Sequence, residues 1–142
     1  MSPRPPGSSG GGSDRATLAL RLLMVDPSLF TAPYDRALAA ALAGRGVEVR
    51  LVGRALRPGE PPFAGQPFAF EPRFYRLAEG PAARLPGPLR GALKGVEHLW
   101  GMAALARRLR RRPADVVHLQ WLPLPWWDAG VLRRLRRVAP VV

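Results

Sequence analysis

The chain has 142 residues, enough for one domain with a real core and too few for two ordinary ones, so a two-domain enzyme cannot be complete within it. With 47% hydrophobic and 23% charged residues it stands apart from disordered chains, and the absence of cysteine excludes disulfides, a thiolate nucleophile and cysteine metal sites. The net charge of +12 suits nucleic acid or an anionic membrane, yet every basic residue except Lys94 is arginine amid abundant Ala, Gly, Pro and Leu, which GC-rich coding explains first.

Residues 1–16, rich in Pro, Gly and Ser, are expected to form a leader outside the fold, leaving 17–142 as the domain. Leu18 to Val25 is an apolar run broken only by Arg21 and closed by Asp26-Pro27, the pattern of a buried strand and a turn. Leu38, Ala39 and Leu42 recur at helical spacing between Tyr34 and Ala43, and Gly44 and Gly46 follow where a helix stops. Val47 to Val52 alternates like a strand with one covered face. Strand, helix and strand in that order predict a right-handed parallel unit.

From Gly53 to Pro67 the prolines and glycines predict a long surface loop, and Phe68 to Glu71 a short third strand closed by Pro72. Leu89, Leu93, Val96, Trp100, Ala103 and Leu109 form an approximate 3.6-residue stripe, predicting an amphipathic helix from Leu89 to Arg112 with arginines in its last turn. Asp115 to Leu119 predicts a buried strand. Asp128 is placed as the cap of a helix running to Arg137, and Val138 to Val142 begins another strand. The alternation predicts an α/β fold, a Rossmann-like parallel sheet with flanking helices, in which ligands bind beyond the carboxyl ends of the strands. Two loops are thereby singled out, Asp26 to Asp35 and His118 to Asp128.

The segments DRALAAALAGRGVEVRLV and ADVVHLQW, in this order and spacing, resemble the N-terminal domain of glycosyltransferases of the GT-B fold. More narrowly, Leu18 to Val142 is similar to the glycogen-synthase-like group, family four. The resemblance implies an incomplete N-terminal half of a GT-B fold, the acceptor-side wall of a cleft. A second Rossmann-like, C-terminal domain would hold the nucleotide-sugar donor. It implies no other cofactor, a sugar or lipid-linked acceptor as partner, and no catalysis by this portion alone.

The family's first loop is often glycine-rich; here Pro27 to Tyr34 contains no glycine. Side chains take its place as acceptor contacts: hydroxyls from Ser28, Thr31 and Tyr34, and an apolar face from Phe30. His118, Gln120 and Trp121, in the second loop region, are expected to hydrogen-bond and stack on the same acceptor. His98, on the long helix, is expected to be structural. Arg107, Arg108 and Arg111, with Trp126 and Trp127, are the candidates for contact with an anionic membrane or other anion.

No run approaches the ~18 apolar residues of a spanning helix, and the N-terminus lacks an apolar signal core. The expected location is the cytoplasm, with at most peripheral contact at the inner membrane face. A noncatalytic basic module for nucleic acid or anionic membrane is the rival from another class. The tryptophans, however, crowd one Pro-rich loop instead of interleaving with arginines, which argues against nucleic acid. A phosphoacceptor receiver domain is excluded by the lack of an aspartate near Glu71 to Tyr75. With two histidines far apart in sequence, metal chemistry has no support either.

Overall fold

The computed structural model describes residues 19–142, and the leader expected over 1–16 lies outside them. In chain order the elements are β1 (Arg21–Asp26), α1 (Ala32–Ala43), β2 (Glu48–Arg54), β3 (Ala69–Phe74), α2 (Gly87–Arg111), β4 (Val116–Leu119) and α3 (Pro125–Leu135). The four strands form one sheet in the order β3-β2-β1-β4, and every pairing is parallel. The fold is therefore α/β and Rossmann-like.

β1 shows why its sequence is almost continuously apolar. Successive side chains of a strand point to opposite faces, and here both faces are covered. Leu22 and Met24 pack with Ala39 of α1 and with Leu51, whereas Leu23 and Val25 pack with Met102, Leu105 and Leu109 of α2 and Leu135 of α3. β2 is also covered on both faces: from Leu51 to Arg54 every residue is buried, so the single covered face expected of it is corrected.

Several boundaries shift for identifiable reasons. β1 begins at Arg21, and Ala19 and Leu20 before it are exposed. β3 runs through Pro72 to Phe74 because it is an edge strand, where a residue without an N–H is tolerated; the register slips by one residue at Gly53/Arg54. The loop before it is not wholly superficial, since Phe63 and Phe68 fold back into the core on the α1 side. The predicted strand at the chain's end is limited to one parallel bridge from Val141 to Val117 of β4.

The largest correction concerns α2. Its buried residues are His98, Met102, Leu105 and Leu109, so of the predicted stripe only Leu109 lies in the core. Leu89, Val96 and Trp100 are exposed on a face turned roughly half a revolution away. Periodicity alone could not choose between two apolar stripes, and the winning one contains a histidine that side-chain partners make compatible with burial.

Candidate functional site

The chain reverses its direction of strand addition at β1, which has β2 on one side and β4 on the other. In this architecture the loops leaving such a pair flank a natural binding crevice. The first of these loops is shaped by Asp26. Its Oδ1 accepts the Ser28 N–H (3.2 Å) and its Oδ2 the Thr31 N–H (3.3 Å). Leu29 takes the left-handed conformation, φ 48°, that glycine usually occupies, and is buried. Leu29 lies directly on Gly53 of β2, where a Cβ would stand 2.7 Å from its side chain and 2.8 Å from the Asp26 carbonyl. Gly53 thus provides the close approach. Arg54, buried beside it, donates from Nε to the Ser28 carbonyl (2.8 Å) and pairs with Glu60 (2.6 Å).

Beneath the loop, Asp35 of α1 is wholly buried next to Asp26 and accepts the Thr31 hydroxyl at 3.4 Å. Burial first, and then the hydrogen bond and charge of Asp26, push the Asp35 carboxyl up to about 7, with Thr31 pulling the other way. Asp35 Oδ2 has no hydrogen-bond partner, as suits a buried carboxyl that keeps its proton more readily than an exposed one.

The second loop closes against the first. The Gln120 N–H donates to the Val25 carbonyl (3.0 Å), extending the β1–β4 ladder by one residue. Trp121 then turns onto the first loop, donating from Nε1 to the Thr31 hydroxyl (3.4 Å) and meeting Phe30 edge to face with ring centroids 5.2 Å apart. Phe30, Thr31 and Trp121 therefore form one contiguous surface, with Phe30 74% and Trp121 48% exposed. Gln120 Nε2 is buried with no acceptor. Tyr34, in the first turn of α1, is exposed, and His118 is half-buried opposite Met24 in the sheet. Ser28 is tied into the loop through its backbone, its N–H on Asp26 and its carbonyl on Arg54.

A second buried network supports these loops. His98 Nε2 donates to Asp128 Oδ1 (2.8 Å), and its Nδ1 hydrogen-bonds the Tyr75 hydroxyl (3.1 Å), all three side chains being buried. Burial raises the Tyr75 phenol. Asp128, expected to cap α3, lies inside its first turn; the helix starts at Pro125, and Asp128 Oδ2 accepts the Leu124 N–H at 3.0 Å. Neither this network nor the Asp26–Asp35 pair was singled out from the sequence. The available signal was Asp26-Pro27-Ser28 at a strand end, an aspartate poised to bond the backbone two residues on.

The membrane candidates fall at opposite ends of the sheet. Trp126 and Trp127, 93% and 66% exposed, open α3 beyond the carboxyl end of β4. Arg107, Arg108 and Arg111 lie in the last turns of α2, which lead into the amino end of β4. Among the described residues no cluster of three or more His, Asp or Glu stands ready for a metal, and no helix is long and apolar enough to cross a membrane.

Comparison with known proteins supports both the fold and the family. Two solved structures of the C-terminal domain of PF1911 hydrogenase from Pyrococcus furiosus are similar to this chain. One spans residues 78–226 (TM-score 0.57) and the other 83–215 (TM-score 0.53), each 14% identical and covering 87% of this chain and 89% of that domain. At that identity the likeness is one of fold alone. No curated protein matches. The family model described as "Glycosyl transferase 4-like domain" matches residues 31–142, from the first loop through the Trp121 loop to the last residue, and the chain belongs to that glycosyltransferase family.

Proposed function

We propose that this domain forms the acceptor-side wall of a glycosyltransferase cleft, the nucleotide-sugar donor being held by a second Rossmann-like domain facing it. The observation that carries this reading is the union of Phe30, Thr31 and Trp121 into one exposed surface at the carboxyl ends of β1 and β4. Exposed aromatic faces stack on the apolar faces of sugar rings, and flanking hydroxyls and amides fix a ring's orientation. Gln120 adds an amide whose Nε2 finds no acceptor in its buried position, and a sugar hydroxyl oxygen supplies one once the side chain turns outward. Ser28, Tyr34 and His118, from the same two loop regions, are assigned to the acceptor with them.

The chemistry assigned to this wall is positioning. An acceptor hydroxyl held against the anomeric carbon of the donor gains rate through proximity, without a proton-transfer group from this domain. A sugar carried on a lipid suits the surface equally, with Trp126 and Trp127 beside it to meet the lipid interface at the inner face of the cell membrane.

The test is a screen of immobilised mono- and disaccharide glycosides with the whole chain, followed by tryptophan-fluorescence titration of those retained. Trp121→Ala and Gln120→Leu are each expected to weaken binding about tenfold or more, the scale of one lost stacking or hydrogen-bonding contact. Unchanged affinity in both variants, or retention of no glycoside at all, overturns the reading.

A further inference from the structure

At the amino ends of β1 and β2, against the last turn of α2 and the segment leading into β4, lies a hollow of about 420 Å³. Five arginines line it, Arg21, Arg50, Arg108, Arg111 and Arg112, together with apolar residues that include Leu109. The only acidic residue lining it is Glu48. This end of the sheet is remote from the loops that carry the proposed acceptor surface.

The charges around the hollow are unevenly matched. Arg21 is paired with Asp115 (3.1 Å), and Arg50 lies 3.6 Å from Glu48 and 3.4 Å from Glu71. Glu71 also takes both Arg73 (2.6 Å) and Arg108, so one carboxylate serves three cations. That crowding holds Glu71 at about 2, with Arg108 the main cause. Arg111 and Arg112 make no ion pair among the described residues, and both are exposed. A helix C-terminus favours cations, which accounts for arginines in the last turn of α2. Arg21 and Arg50 join the same lining from β1 and β2, held there by their carboxylate partners.

We infer that this hollow is a binding site for a phosphate-ester anion, with Arg111 and Arg112 as its free ligating groups and Arg21, Arg50 and Arg108 as a pre-oriented cationic wall. Guanidinium groups match phosphate oxygens two at a time, and arginines already fixed by carboxylates lose little side-chain freedom on binding. The apolar lining residues suit the organic part of the ester. Both a soluble phosphorylated metabolite and a phospholipid headgroup present this chemistry. The site is independent of what the carboxyl-end loops bind.

The experiment is calorimetric titration of the whole chain with sodium pyrophosphate at fixed ionic strength, using the parent, R111A/R112A and R136A/R137A. The last pair removes two exposed arginines just beyond α3, outside the hollow. Pyrophosphate is expected to bind the parent and R136A/R137A alike and R111A/R112A at least tenfold more weakly, with unchanged melting of the unliganded variants. Equal weakening in both variants, or no binding beyond that of chloride at matched ionic strength, overturns the proposal by reducing the site to diffuse charge. A second arm distinguishes the sources. Sedimentation with phosphatidic acid vesicles that pyrophosphate reverses assigns the site to a headgroup, and pyrophosphate binding without sedimentation assigns it to a soluble ester.

Discussion

The two ends of the sheet are built on opposite electrostatic plans. At the carboxyl end two carboxyl groups, Asp26 and Asp35, are buried together, while the surface above them is aromatic. At the amino end arginines share a few partly exposed carboxylates. The same formal charges thus do different work: wholly buried groups define the geometry of a loop, whereas partly exposed pairs hold several arginines side by side at the surface.

The sharpest way to break this contrast is to open the buried network. His98→Ala strands Asp128 and Tyr75 in the core and is expected to cost about 3 kcal/mol in chemical denaturation. Gly53→Ala pushes a methyl group into Leu29 and the Asp26 carbonyl, for an expected loss of about 2 kcal/mol by the same measurement and a displaced first loop.

Acid–base behaviour sharpens the comparison further, because the two ends respond to pH with opposite sign. Asp35 holds its proton more tightly when folded, so stability falls as pH rises from the ordinary carboxylate range through about 7. Asp35→Asn removes that slope, so its stability is expected to gain steadily on the parent between pH 4 and pH 8, read from denaturation midpoints at each pH. Glu71 releases its proton more readily when folded, so its contribution is complete above 4.5 and is lost as pH falls towards about 2. Glu71→Gln therefore lowers the neutral plateau of a melting-temperature profile and flattens its acid limb. The smallest effect is expected of Arg108→Ala, below about 1 kcal/mol, since Glu71 retains Arg50 and Arg73.

Much of the layering was legible in the sequence. β1 announces a doubly covered strand through its unbroken apolar run, and the alternation of elements implies the parallel sheet. The rule that ligands lie beyond strand carboxyl ends selected both loops that meet at Phe30 and Trp121. Their contact was not legible, because it depends on β1 and β4 being neighbours although about 90 residues separate them. The inward face of α2 was hidden for a related reason. His98 counts as polar in any periodicity, and only Tyr75 and Asp128, brought from distant segments, make its burial affordable. The turn at Leu29 was hidden in a third way, because Leu29 fills a backbone conformation that glycine usually takes.

The border strand β3 has a colloidal consequence. A free strand edge is a template on which other chains can stack, and natural proteins blunt such edges with proline, bulges and charge. β3 carries all three within three positions: Glu71, Pro72, and Arg73 at the register slip. Concentrated solutions of this protein should accordingly resist edge-to-edge aggregation, and replacing Pro72 by valine is the change most apt to introduce it.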